Sequence, residues 1–205
     1  MKFLNSAKIK NKRVLLRLDL NVPLDEEGRI TDDNRIKKSL PTIKYILKKN
    51  PKQIIIISHL GRPKGKIISK LKLTKVAIRL RNLLKQEIIK TRDCINIKLP
   101  STKIVVLENL RFHKEETQNS NVFSEKLSKH GEIFINDAFG TAHRAHASNA
   151  NITKYFNQKC HGFLINKEKK YLQENINDKG QSISLLLGGA KISDKIKLIK
   201  RFVHI

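Results

Sequence analysis

The 205-residue sequence contains no tryptophan, only two cysteines, and aromatic side chains at 5% of its positions. Cys94 and Cys160 form no CxxC pair, so the sequence offers neither a disulfide framework nor the ligand spacing of a metal site. No purely aliphatic run is longer than that of Ile54–Ile57, which is far shorter than the ~20 residues that span a bilayer. Residues 1–13 contain no apolar stretch of signal-peptide length. We therefore expect a soluble, cytoplasmic protein without a membrane partner and without metal ligands.

Acidic residues are also scarce, with 18 Asp and Glu against 43 Lys and Arg, which gives a formal net charge of +25. Such a charge is typical of proteins that bind polyanions. However, the basic residues are 32 Lys and only 11 Arg, and Lys, Ile and Asn together make up 76 of the 205 residues. These are the amino acids with the most AT-rich codons. Composition alone therefore leaves two readings open: a polyanion partner, or an AT-rich genome that places Lys on any solvated surface.

Segments with strand-like and helix-like patterns alternate along the chain. Buried strands read as β-branched or leucine-rich runs, and helices show apolar residues at i, i+4 and i+7. Strands that alternate with helices in this way indicate βαβ units and a parallel sheet. We predict strands at 14–20, 53–58, 104–108 and 132–136, helices at 32–49, from Thr74 and at 122–130, and a polar helix at 166–178.

The predicted fold class is α/β. Residues 1–155 are expected to form a Rossmann-like, three-layer domain around a parallel sheet. Residues 156–180 are expected to form an interdomain hinge and helix. Residues 181–205 contain a buried strand at 182–187 and a helix from Ser193, which we interpret as the first βα unit of a second, incomplete α/β domain.

Several residues mark the expected ends of the helices. Asp32 and Asp33 stand where an N-cap or a first-turn acid stabilises a helix. Thr74 is expected to cap the second helix, and Gly131 to close the helix at 122–130. Pro41 lies inside the first helix and is expected to kink it.

Polar and basic residues collect at the carboxyl ends of the predicted strands, where open parallel sheets bind ligands. Each of these residues alone has an ordinary reading, as a solvated charge or a turn former. Arginine offers a fixed fork of donors that suits carboxylate and phosphate, and its use here in a lysine-rich chain suggests that geometry matters. Convergence of four strand ends favours a pocket for a small, multiply charged anion over a nucleic-acid surface, which would need a basic stripe with aromatic platforms. The residues are Asp19, Asn21, Arg35, His59, Gly61, Arg62, Asn109, Arg111, Asn136, Asp137, Gly140, Thr141, His143, Arg144 and His146.

A second candidate anion site follows the predicted strand at 182–187. Gly188 and Gly189 would let backbone amides approach a phosphate at a helix N-terminus, with Lys191 and Lys195 on one face. The segment matches neither the P-loop pattern nor the dinucleotide-binding pattern. A tight turn without a ligand explains the glycine pair equally well.

Seven segments, taken together, resemble the signatures of the phosphoglycerate kinase family, in the order and at the approximate spacing found there. The resemblance extends from about Met1 to Phe202. The segments are RLDLNVP (17–23), DDNRI (32–36), SHLGRP (58–63), LENLRFHKEE (107–116), NDAFGTAHRAHAS (136–148), GFLINKE (162–168) and LLGGAKISDKI (186–196).

The resemblance implies a two-domain glycolytic kinase that moves a phosphoryl group between 1,3-bisphosphoglycerate and ADP, giving 3-phosphoglycerate and ATP. It implies a monomer with ATP or ADP and Mg²⁺ as cofactors, and a Mg²⁺ ligand that this chain does not contain. Arg35 and Lys191 would be catalytic, and Gly188, Gly189, Lys191 and Lys195 would bind the nucleotide. The implied substrate-binding residues are Asp19, Asn21, Arg35, His59, Leu60, Gly61, Arg62, Arg111, His143 and Arg144.

The family's chains are about twice as long as this one. We therefore expect a truncated form that is inactive alone, because the adenine pocket and the Mg²⁺ carboxylate would lie in the missing part. One alternative is a degraded remnant that only binds a small phosphorylated acid. A more distant alternative is a basic module that binds nucleic acid.

Overall fold

A computed structural model of the protein describes residues 2–177, 196, 199 and 200. Its centre is a seven-stranded parallel sheet with the strand order β1-β7-β6-β2-β3-β5-β4. The strands are β1 (Lys2–Phe3), β2 (Arg13–Arg17), β3 (Gln53–Ile57), β4 (Ile88–Lys90), β5 (Ile104–Val106), β6 (Ile133–Asn136) and β7 (Gln158–His161). The helices are α1 (Asn34–Lys48), α2 (Thr74–Leu84), α3 (Lys114–Thr117), α4 (Asn121–Ser128) and α5 (Phe163–Asn177).

Both faces of the sheet carry a hydrophobic core, since successive strand residues point to opposite sides. Leu16 packs in one core with residues of α1 and α2, such as Ile43 and Leu80. Leu15, its neighbour, packs in the other core with Phe123 of α4. The predicted three-layer α/β fold around a parallel sheet is thereby confirmed.

The structure corrects two of the predicted helix ends. Thr74 is the first residue of α2 and caps nothing, because the N-cap position belongs to Leu73, whose amide donates to Glu108 Oε1 at 2.9 Å. Gly131 does not adopt a left-handed conformation. It is required for close packing instead, since a Cβ there would lie 2.7 Å from the Cβ of Leu15.

The two aspartates before α1 have different hydrogen-bond and ion-pair partners. Asp33 occupies the N-cap position without a side-chain cap, and it pairs with Lys37 at 2.8 Å and Arg79 at 2.7 Å. Asp32 Oδ1 accepts a hydrogen bond from the amide of Asn34 at 2.7 Å. The helix continues through Pro41, and the kink expected there stays a prediction.

Three strands were not predicted from the sequence: β1, β4 and β7. Strand β7 reads QKCH and lacks an apolar pattern, yet it pairs with β6 inside the segment expected to be a hinge. The chain divides into two compact units, Met1–Asn166 and Lys167–Ile205. The expected domain limits at 155 and 180 stay predictions. The predicted strand at 182–187 lies outside the described residues, and of the helix predicted from Ser193 only residues 196, 199 and 200 are described, each of them helical.

Among the described helices, none combines the length and the apolar character needed to cross a bilayer. Strands β2, β3, β5 and β6 are neighbours and run parallel, so their carboxyl ends meet at one edge of the sheet. This arrangement brings together the residues that follow those four strands.

Candidate anion-binding site

Hydrogen bonds lock together the loops that follow β2 and β3. Ser58 Oγ accepts from the amide of Leu20 at 3.0 Å and donates to the carbonyl of Leu18 at 2.8 Å. Asn21 Oδ1 accepts from the amide of Gly61 at 2.7 Å. Gly61 has a φ of 65°, which favours glycine over residues with a Cβ. The two loops therefore form one rigid rim of the site.

The loop after β5 joins this rim. Asn109 Oδ1 accepts from the amide of the buried Leu60 at 3.2 Å, and Asn109 Nδ2 donates to the carbonyl of Leu60 at 2.8 Å. Arg111 Nη1 donates to the carbonyl of Gly61 at 2.8 Å. Arg111 Nε is buried and has no hydrogen-bond partner among the described residues. Burial, with the nearby guanidinium of Arg144, lowers the pKa of Arg111 to about 10.

Asp19 and Arg35 form an ion pair at the same edge. Asp19 is buried after β2, whereas the side chain of Arg35 is half-exposed at the start of α1. Gly140 lies against this pair, because a Cβ there would be 2.7 Å from Asp19 Oδ2. Asp19 Oδ1 also accepts from the amide of Asn21 at 3.3 Å. The pair thus fixes the guanidinium of Arg35 at the edge of the sheet where the carboxyl ends of the strands meet.

A cavity of about 340 Å³ opens beside these loops. Its lining combines three arginines from three different loops with two lysines and one histidine, and it includes no carboxylate from the described residues. Such a lining suits an anion rather than a cation. The residues are Arg62, Lys64, Arg111, Lys114, Arg144 and His146.

Below the cavity lies a fully buried arginine that the sequence analysis did not select. Arg17, the last residue of β2, is 0% exposed. Its Nε donates to Ser148 Oγ at 3.0 Å, and its Nη1 donates to the carbonyl of Leu18. His59 Nδ1 lies 3.4 Å from Arg17 Nη2. Burial lowers the pKa of Arg17, and the charges of Glu116 and Asp19 partly oppose that effect.

Two histidines of the site, His59 and His146, are held neutral. Burial, reinforced by Arg17 and Arg111, lowers the pKa of His59 to about 2. Burial and the same kind of neighbouring charge lower the pKa of His146 to about 4. His59, one of the implied substrate-binding residues, therefore contributes a neutral imidazole.

Asp93, Cys94 and His113 form the one group of mixed metal-ligand types that we find within the described ranges, with donor atoms within 4.8 Å of one another. Asp93 Oδ1 already bonds His113 Nε2 at 2.7 Å. Burial raises the pKa of the Cys94 thiol well above its ordinary value, which favours the protonated form. These features favour an Asp–His pair over a metal centre.

Comparisons with known proteins show the family of the chain. The family model described as phosphoglycerate kinase matches residues 4–205. The chain belongs to the phosphoglycerate kinase family. It is 45% identical to the phosphoglycerate kinase of Gloeothece citriformis and 46% identical to that of Nostoc punctiforme, in each case over 98% of this chain and 52% of the relative.

Solved structures of the family share the fold. The phosphoglycerate kinase of Coxiella burnetii matches with a TM-score of 0.85 at 34% identity, over 98% of this chain and 51% of that chain. The enzyme of Pyrococcus horikoshii matches with a TM-score of 0.85 at 32% identity, over 100% of this chain and 53% of that chain. This chain thus spans about half the length of the phosphoglycerate kinases it matches.

The sequence-predicted site residues fall into three groups in this family member. Arg62, Arg111 and Arg144 line the cavity. Asp19, Asn21, Arg35, Leu60 and Gly61 build the rim, with His59 buried beneath, and His143 is exposed on the loop that carries Arg144. The predicted nucleotide-binding residues Gly188, Gly189, Lys191 and Lys195 lie outside the described residues.

Sequence reasoning assigned no role to five contributors to the site. Arg17 could have been found, because a charge inside an otherwise apolar strand needs a partner. Glu116 looks like half of an exposed acidic pair, and only the tertiary structure shows that it is 0% exposed. Lys64 and Lys114 resemble every other lysine of this chain, and His146 was noted at the strand ends without a role.

Proposed function

We propose that the cavity binds 3-phosphoglycerate and 1,3-bisphosphoglycerate, as the acid-binding half of a phosphoglycerate kinase. The observation that supports this most directly is the cavity lining, where Arg62, Arg111 and Arg144 converge from three loops. Arginine forks bind the phosphate or carboxylate group in a bidentate way. The family membership of the chain makes a phosphorylated three-carbon acid the anion of choice.

The rim would recognise the rest of the substrate. Asp19 and Asn21 carry acceptor oxygens that would bind the hydroxyl group of the acid. Both are restrained, since Asp19 pairs with Arg35 and Asn21 holds the amide of Gly61 at 2.7 Å. Arg35 retains half of its side-chain surface exposed, and it would stabilise the charge of the transferring phosphoryl group. Catalysis here would depend on positioning and charge neutralisation more than on covalent chemistry.

The phosphoryl donor or acceptor would be ATP or ADP, held by Gly188, Gly189, Lys191 and Lys195. The described carboxylates near the cavity do not fit Mg²⁺, because Asp19 is paired with Arg35 and Glu116 accepts hydrogen bonds from Ser148. No step of the proposal therefore uses a metal bound by these residues. We propose a monomer of the cytoplasm that acts in glycolysis when a complete nucleotide site is present.

Calorimetric titration of the full 205-residue chain with 3-phosphoglycerate tests the binding proposal. We expect saturable binding that Arg62→Ala weakens roughly tenfold or more, since the substitution removes a charge-assisted contact. Arg81→Ala removes an exposed arginine of α2 and is the matched control, with unchanged affinity expected. Absence of saturable binding, or equal loss in both variants, would contradict the proposal. Binding of RNA that 3-phosphoglycerate does not displace would favour the nucleic-acid alternative.

Turnover separates a kinase from a binding-only protein. We expect ATP formation from ADP and 1,3-bisphosphoglycerate when the chain is mixed with a separately made C-terminal half of the Nostoc punctiforme relative. Binding of 3-phosphoglycerate without any rate above the rate of that half alone would support the binding-only alternative.

A further inference from the structure

The buried carboxylate of Glu116 lies close to the cationic residues of the site. Glu116 follows the cavity residue Lys114 in the chain, and its side chain is 0% exposed. Its charge raises the pKa of both Arg17 and Arg111 against the lowering effect of burial. His146 Nδ1 lies 3.9 Å from Glu116 Oε1 and has no hydrogen-bond partner among the described residues. Glu116 therefore contributes negative charge beneath a cavity whose own lining is cationic.

Glu116 also clamps the chain next to the cavity arginine Arg144. Its Oε1 accepts from Ser148 Oγ at 2.6 Å, and its Oε2 accepts from the amide of Ser148 at 3.0 Å. Its backbone carbonyl accepts from the amide of Ala147 at 2.9 Å. These bonds fix residues 147 and 148, and with them the end of the loop that carries Arg144 and His146.

Ser148 also links Glu116 to Arg17. The same hydroxyl that donates to Glu116 accepts from Arg17 Nε at 3.0 Å. A hydroxyl has one proton to donate and lone pairs to accept with, so both bonds form together. This pairing offsets part of the cost of burying the charge of Arg17, which is 0% exposed.

We propose that Glu116 is a positioning residue of the anion site, which acts through Ser148 to hold the buried Arg17 in place and to orient the Arg144–His146 segment toward the phosphorylated acid. The proposal rests on the proposed function and names a residue through which that site is assembled. Glu116 does not line the cavity, so its effect on the ligand is indirect. Substitution of Glu116 has two opposing effects on anion binding. The net positive charge at the site rises, and the positions of the residues that Glu116 holds are lost.

The experiment compares Glu116→Gln, Ser148→Ala and the control Glu115→Gln in the full chain. Glu115→Gln removes the same charge from the adjacent, partly exposed position. We expect Glu116→Gln and Ser148→Ala to weaken 3-phosphoglycerate binding roughly tenfold, the size of a lost charge-assisted hydrogen bond. Inorganic phosphate should bind Glu116→Gln at least as well as it binds the parent, because a small anion responds to net charge more than to geometry.

A second measurement is independent of the substrate. The side-chain Nε–Hε NMR signal of Arg17 should shift in Glu116→Gln and in Ser148→Ala, and stay in place in Glu115→Gln. Ser148→Ala removes the link without removing a buried charge, so it carries the test if Glu116→Gln does not fold.

The outcomes separate the two proposals. An unchanged Arg17 signal in the folded variants overturns the role of Glu116, and so does equal weakening of phosphate and 3-phosphoglycerate together with reduced stability. A parent chain that does not bind 3-phosphoglycerate overturns the proposed function, and the Arg17 signal then decides the role of Glu116 by itself.

Discussion

Asn21 Oδ1 accepts a hydrogen bond from the amide of Gly61 at 2.7 Å, which joins the loops after β2 and β3 across 40 residues of sequence. Gly61 in turn accepts from Arg111 Nη1 at 2.8 Å through its carbonyl. The side-chain amide of Asn21, the backbone of Gly61 and the guanidinium of Arg111 therefore connect three strand ends. This connection positions two of the cavity arginines, Arg111 and Arg62, which is the neighbour of Gly61.

Asn21→Ala should break that connection. We expect the free energy of unfolding to fall by about 1 kcal/mol, the usual effect of one lost hydrogen bond. The affinity for 3-phosphoglycerate should fall about tenfold, because the substitution frees the loop that holds Arg111 and removes a proposed ligand. Hydrogen exchange of the Gly61 amide should become faster. Asn82→Ala, on the exposed face of α2, should change none of these quantities, and equal effects in the two variants would argue against the connection.

Gly140→Ala should disturb the Asp19–Arg35 pair. The new Cβ would lie 2.7 Å from Asp19 Oδ2, so the carboxylate has to move. We expect roughly tenfold weaker binding of 3-phosphoglycerate with little change in stability, since Gly140 is exposed and is not left-handed. Gly28→Ala provides the contrast, because Gly28 has a φ of 70° in a turn after β2. It should cost about 1 kcal/mol of stability and leave the affinity intact. Full affinity in Gly140→Ala would contradict this role of the pair.

His59 should make the folded state sensitive to acid. Its pKa is about 2 in the folded chain, below the ordinary value of about 6.5 in the unfolded chain. Below pH ~6.5 the unfolded chain therefore binds a proton that the folded chain does not. The contribution of His59 to stability should decline by about 1.4 kcal/mol per pH unit as the pH falls, and it should be constant above pH ~6.5.

Urea unfolding of the parent and of His59→Asn at pH 7.5, 6.5 and 5.5 measures this effect. The stability difference between the two proteins should shrink as the pH falls. Asn82→Ala, which removes no titratable group, should differ from the parent by the same amount at every pH. A stability difference that stays constant from pH 7.5 to 5.5 would show that His59 is not held neutral.

Much of the fold follows from local pattern. The runs VLLR, QIIII and IFIN are apolar on both faces, and such runs become central strands of a parallel sheet covered by helices. The strands β4 and β7 could not be predicted in this way. They are short and partly polar. Each forms a strand because it pairs with the edge of a neighbouring strand: β4 pairs with β5, and β7 pairs with β6.

The site divides in the same manner. The sequence by itself determined which residue types stand at the strand ends, because parallel strands deliver their carboxyl ends to one edge and the motifs there name Arg35, Arg62, Arg111 and Arg144. Only the tertiary structure decided which of the ionisable side chains carry a charge in the folded protein and which are paired. His59 loses its charge by burial, whereas Arg17 keeps a partner in Ser148 and, through it, in Glu116. The physical reason is that desolvation and long-range pairing depend on distances between residues up to 131 positions apart, which no local pattern encodes.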